Sequence, residues 1–147
     1  MPFNAPFKLG PFTVDPEGRL SPWECQTTPA FLFRWRGRLV RTRLIQHDPA
    51  TDRLVLVAEV AVGRVPSTAG FGDEMRRPRS FALVHWLTRV MPAGWRVGLA
   101  PDHRVWLEAK MPLGVPATAV GLLTMVTCFV LDLAPYLELL DETGVSV

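Results

Sequence analysis

Aromatic residues take every second position from Phe31 to Trp35, with Leu32, Arg34 and Arg36 in the alternate positions. A period of two is that of a β-strand with one buried face. The sequence predicts a two-residue turn at Gly37-Arg38 and a returning strand from Leu39 to Gln46. That closure pairs Arg36 with Leu39, Trp35 with Val40, Arg34 with Arg41 and Phe33 with Thr42. One face then holds Phe31, Phe33, Trp35, Val40, Thr42 and Leu44. The other holds Leu32, Arg34, Arg36, Arg41 and Arg43, with Arg38 at the turn. A slip of one residue would mix the two sets. After a loop at 47–52, the even-numbered apolar residues of a third strand, Leu54 to Val62, join the core face, and Glu59 joins the arginines.

The flanking segments have less regular patterns. Residues 1–11 contain Pro-Phe dipeptides and are expected to form an arm without regular structure, leaving 12–147 as a single domain. Asp15-Pro16-Glu17-Gly18 is a turn sequence between two short apolar stretches and predicts a small hairpin. Residues 22–30, with Trp23 and Cys25, read as a connector, and 63–79 as an unusually long loop. Ser80 is the expected N-cap of a helix from Phe81 to about Met91. Its only polar stripe is His85, Thr88 and Arg89, so most of its circumference is expected to be buried. Pro92-Ala93-Gly94 stops it, and a second hairpin follows, Trp95 to Leu99 and Val105 to Met111. Pro116 opens a last helix that runs to about Ala134, with a kink or break at Pro135 before Tyr136 to Leu140. The order predicts an α+β fold. A largely antiparallel two-layer sheet, a three-strand meander plus a hairpin, packs against a short helix and a long C-terminal one.

Residues 111–131 carry no charge, which raises the question of a membrane span. Pro112, Gly114, Pro116 and three threonines interrupt the segment and Asp132 ends it, so a core helix is the expectation and no membrane partner is assigned. On a helical wheel Leu122, Leu123, Val126, Phe129, Val130, Leu133 and Leu137 form a broad face for the sheet. Ala117, Gly121, Thr124 and Cys128 form a narrow stripe opposite, expected as the interface of a two-fold homodimer.

With 147 residues, 48% of them hydrophobic, the chain has the length and composition of one folded domain. Cys25 and Cys128 are too few for a disulfide scaffold, which favours a reducing, cytoplasmic setting. Net charge is only +2, but fourteen of the sixteen basic residues are arginine, the side chain suited to bidentate recognition of carboxylates. No histidine, cysteine or carboxylate cluster has metal-ligand spacing, and no nucleophile motif or phosphate-binding glycine loop is present. No cofactor is expected, and no residue nominates itself as catalytic. The candidate partner-binding residues are Arg34, Arg36, Arg41 and Arg43, offered to a polypeptide from one sheet face. Nucleic acid fits less well, because the aromatics of this hairpin alternate onto the opposite face. The alternative is a small-molecule-binding protein or enzyme that uses the 63–79 loop as a lid.

From Phe31 to Leu140 the layout resembles the type III secretion chaperone-like fold. The segments that carry the likeness are FLFRWRGRLVRTRLI with DPATDRLVLVAEV, then SFALVHWLTRVMPAGWRVGLAPDHRVWLEAKMPL, then the helix from Pro116. The resemblance implies a small, dimeric, non-enzymatic bacterial protein that binds polypeptide segments along its sheet. Two features differ from that pattern: a Pro-Phe arm stands where such proteins have an N-terminal helix, and the chain is basic.

Overall fold

The computed structural model describes residues 4–22, 29–48, 53–66 and 76–145. Two antiparallel sheets and two helices make an α+β fold. The strands are β1 (Phe7–Leu9), β2 (Phe12–Val14), β3 (Leu20–Pro22), β4 (Ala30–Trp35), β5 (Arg38–Asp48), β6 (Arg53–Arg64), β7 (Trp95–Leu99) and β8 (Arg104–Leu113). The helices are α1 (Arg76–Val90) and α2 (Ala119–Glu142).

The larger sheet has the order β4-β5-β6-β8-β7. The meander and the later hairpin are therefore joined by pairing β8, the second hairpin strand, to β6. One face of this sheet is the core. Val40, Leu56, Ala58, Val60, Leu107 and Ala109 on it are all at most 1% exposed. They pack with Phe129, Leu133, Leu137 and Leu140 of α2, which lies over β6 and β8, while α1 lies against β7. Trp95 stacks at a tilt on Phe129 and Tyr136, with ring centroids 5.2 and 5.9 Å apart, and so ties the β7 edge to α2.

The small sheet, in the order β1-β2-β3, corrects the expectation for the N-terminal arm. Phe7–Leu9 of the 1–11 segment is a strand paired with β2, where the Pro-Phe pattern had suggested no regular structure. The Asp15–Gly18 turn forms as expected, with Gly18 N–H donating to the Asp15 carbonyl at 2.9 Å. Phe12 and Val14 are buried. The hairpin then anchors the start of α2: Leu20 N–H donates to the Ala117 carbonyl, and Ala119 N–H to the Gly18 carbonyl.

Both helices begin elsewhere than expected. α2 starts at Ala119, and its N-cap is Thr118, whose hydroxyl accepts from the Gly121 N–H at 3.0 Å. It then runs unbroken through Pro135 to Glu142. The break expected at Pro135 is absent, because the buried Leu133, Leu137 and Leu140 hold both sides of the proline on one core. α1 starts at Arg76, four residues before Ser80, with Pro78 in its tolerant first turn. Ser80 is thus no N-cap; it is fully buried, and its hydroxyl donates to the Thr143 carbonyl beyond α2 at 2.7 Å. Among the described side chains of α1 only Ser80, Val84 and Leu87 are buried, and Trp86 and Val90 are exposed, so this helix is covered far less than its composition implies.

α2 is long and apolar enough to cross a membrane by length and composition. It nevertheless buries seven residues against the rest of the chain. Its other side is uncovered in the chain.

Candidate functional site

The β4–β5 hairpin closes two residues away from the expected register. Trp35 pairs with Arg38, Arg34 with Leu39, Phe33 with Val40 and Leu32 with Arg41. The turn is therefore Arg36-Gly37, not Gly37-Arg38. Both residues have positive φ, 47° and 76°, as the favoured two-residue hairpin turn requires. Glycine costs nothing in that conformation, whereas Arg36 costs about 1 kcal/mol. Because the slip is two residues, each face keeps its members. The side chains of Val40, Thr42 and Leu44 still point inward.

The slip does relocate two arginines. Arg38 becomes a strand residue of the inner face and is only 5% exposed. Its Nε donates to the Val62 carbonyl at 2.7 Å, Nη1 to the Arg36 carbonyl at 3.2 Å, and Nη2 to Asp141 of α2 at 2.7 Å. Arg36, at the turn, pairs with Glu138 of α2 at 3.1 Å. Since α2 has no basic residue in its last turn, these two hairpin arginines supply the cations that its negative end favours. Arg36 is thus set at the turn in an exposed pair with α2, apart from the outer-face arginines.

The other three candidates do share the outer face, and they differ in state. Arg43 is half-buried and committed: its guanidinium lies 3.1 Å from Glu59 and 3.9 Å from Glu108. Glu59 and Glu108 face each other across β6 and β8. Arg34 and Arg41 are exposed, and among the described residues neither forms an ion pair. They line a depression of about 340 Å³ whose walls come from four strands. Arg34 is on β4, Leu39 and Arg41 on β5, Glu59 and Ala61 on β6, Arg104 and Trp106 on β8. Arg34 is opposite Leu39 and Ala61 opposite Trp106, and continuing the β5–β6 register one residue past Val40–Val60 sets Leu39 beside Ala61, so these four residues run across the sheet as a row. Leu39 is 47% and Trp106 40% exposed, an apolar floor and wall beside free guanidinium groups. Arg104 is held 3.0 Å from Asp102.

Trp106, Arg104 and Leu39 are the residues missed by the sequence reading. The alternation of β8 does put Trp106 opposite Val105 and Leu107, hence off the core face. Only the β6–β8 pairing, a contact between distant segments, brings it to the arginines.

On α2 the expected dimer stripe divides. Ala117 is buried in the core, and Gly121 is half-buried, with room at its Cβ position limited by Thr118 Oγ1 at 3.0 Å. Thr124 and Cys128 are exposed. Leu123, assigned to the sheet-facing side, is exposed instead, together with Val120 and Leu131. The uncovered side of α2 is therefore more apolar than the stripe of small residues. The proposed lid loop lies largely outside the described residues, as do Trp23 and Cys25.

Comparisons with protein-family models, with curated proteins and with solved structures find no match to this chain.

Proposed function

We propose that this chain is a non-enzymatic, polypeptide-binding protein of secretion-chaperone-like type that acts in the cytoplasm. Its outer sheet face receives an acidic segment of the partner. The observation that carries this reading is the pair Arg34 and Arg41, exposed, without an ion pair among the described residues, and set beside Leu39 and Trp106 in one depression. Arginine side chains held ready on a rigid sheet next to uncovered apolar surface favour a partner with carboxylates and some apolar body. A lone charge would be satisfied by water; the apolar neighbours add area that only a ligand can cover. The protein acts as a homodimer, with the exposed Val120, Leu123, Thr124, Cys128 and Leu131 side of α2 as the contact between copies.

One measurement tests both parts. A native mass spectrum of the protein purified from its own host is expected to show a dimer carrying a polypeptide. The Arg34→Glu/Arg41→Glu double variant is expected to show the same dimer without it. A retained polypeptide in the variant removes the outer face from consideration, and a monomer mass removes the α2 contact.

A further inference from the structure

The depression has a direction. Its unpaired cations, Arg34 and Arg41, stand at the β4–β5 end, and its exposed indole, Trp106, at the β8 end, with Leu39 and Ala61 between. From β4 to β8 is three inter-strand steps, about 14 Å at the usual sheet spacing. An extended polypeptide advances about 3.3 Å per residue and presents every second side chain to one surface. Residues i and i+4 of such a segment are therefore separated by about 13 Å. That span matches the distance from Arg34 to Trp106 across the row. Arg41 lies diagonal to Arg34 across the β4–β5 pair, since Arg34 faces Leu39 and Arg41 is two residues further along β5. Diagonal neighbours of this kind are about 7–8 Å apart. Arg41 stands in the next row, opposite Glu59, so it is about 12 Å from Trp106 and flanks the Arg34–Trp106 row instead of lying within it.

Building on the polypeptide-binding reading above, we infer that the partner segment crosses the strands in extended form with the pattern acidic-x-x-x-aromatic. The carboxylate takes Arg34, with Arg41 beside it in the next row, and the aromatic ring packs on Trp106 over the Leu39–Ala61 floor. The charge balance of the lining agrees with an acidic residue at the Arg34 end. Glu59 is occupied by Arg43, Arg38 by Asp141 and Arg104 by Asp102, which leaves two uncompensated positive charges. The ring is specified by the other end: Trp106 sits among Ala61 and Gly98, its neighbours on β6 and β7, so no bulky side chain stands beside it in its row. The indole face is accessible to stacking, worth about 0.5–1.5 kcal/mol beyond its area in such pairs.

The test uses fluorescein-labelled Gly/Ser peptides and fluorescence anisotropy on the full chain. One probe has Glu-x-x-x-Phe at its centre, a second the same order reversed, and a third the permuted Glu-Phe-x-x-x with identical composition. One of the first two is expected to bind about tenfold more tightly than the permuted peptide. Trp106→Ala, an exposed position whose loss should leave the far-UV circular dichroism unchanged, is expected to abolish the preference for Phe over Ser at the last position. Arg34→Ala is expected to abolish the preference for Glu over Gln at the acidic position. Equal affinity for matched and permuted peptides, no measurable binding of any of them, or displacement by oligothymidine as effective as by the matched peptide overturns the inference. These outcomes leave the polypeptide-binding reading standing if the charge-reversed protein still loses its native partner. Retention of that partner overturns both.

Discussion

Arg34 and Arg38 leave one hairpin four residues apart and end in opposite environments. Arg38, on the inner face, is enclosed and spends its donors on Val62, Arg36 and Asp141. Arg34, on the outer face, is exposed and makes no ion pair among the described residues. The same contrast runs across the whole five-stranded sheet. The inner face is closed by α2 and α1 around largely buried side chains, whereas the outer face carries paired charges, the exposed Arg34, Arg41 and Arg96 with no ion pair among the described residues, and half-exposed Leu39 and Trp106. Burial on one side fixes the fold and its register; openness on the other leaves chemistry unspent. Stability and binding should therefore be separable by face.

Leucines give the largest separation. Leu133→Ala, at a fully buried site on α2 over the sheet, is expected to lower stability by about 3 kcal/mol through lost burial and a cavity. Leu32→Ala, at a 57% exposed site on the outer face, should change it by less than about 0.5 kcal/mol. Urea unfolding of the two variants measures both, and equal losses would break the division into a closed and an open face.

The next largest effect is Arg38→Ala. It removes charge-assisted hydrogen bonds to Val62 and Asp141 and leaves the Val62 carbonyl without that donor, an expected loss of about 2 kcal/mol. Asp141 keeps access to water, since its side chain is 50% exposed, so the loss stays below that of a fully buried ion pair. Protection of the last turns of α2 in hydrogen exchange should fall with it. If global stability drops and the α2 C-terminus stays protected, the hairpin is not what holds that end.

The inner face was largely legible in the chain because its signals are local and repeat. Alternation from Phe31 through Val62 assigns each residue to a side, and any even-numbered slip preserves that assignment. This is why the β4–β5 register was off by two without moving a single core residue. Arg38 was misplaced for the same reason: parity cannot tell a turn residue from the first inward strand residue, whereas the preference for Gly at the second position of the turn can. The helix starts were misplaced because Ser80 and Pro116 carry terminus signals that packing outweighs, Ser80 having a tertiary hydrogen bond and Pro116 lying before the true cap at Thr118. The site was legible only in part. Arg34 and Arg41 follow from the pattern, but Arg36 and Arg43 are claimed by Glu138 and Glu59. Trp106 joins them only through a pairing between strands separated by the whole of α1.

The smallest effect on stability is expected from the residue that matters most for binding. Arg34→Ala removes an exposed side chain on the edge strand that makes no ion pair among the described residues, so unfolding should shift by less than about 0.5 kcal/mol. Its contribution to a partner is electrostatic and solvent-facing, which gives a second signature. Wild-type affinity for the acidic peptide should weaken as salt rises from low to physiological strength, where screening acts over about 8–10 Å. The Arg34→Ala protein should show a shallower dependence on salt, since one of the two charges that produce it is gone. Arg43→Ala makes the contrasting case. It frees Glu59 at the depression's floor, adds a negative charge where the partner's carboxylates would sit, and should weaken binding although Arg43 itself does not line the depression. Were Arg34→Ala to destabilise the chain as Arg38→Ala does, the outer face would be a structural surface like the inner one. The reason for leaving Arg34 and Arg41 unpaired would then have to be sought in the fold.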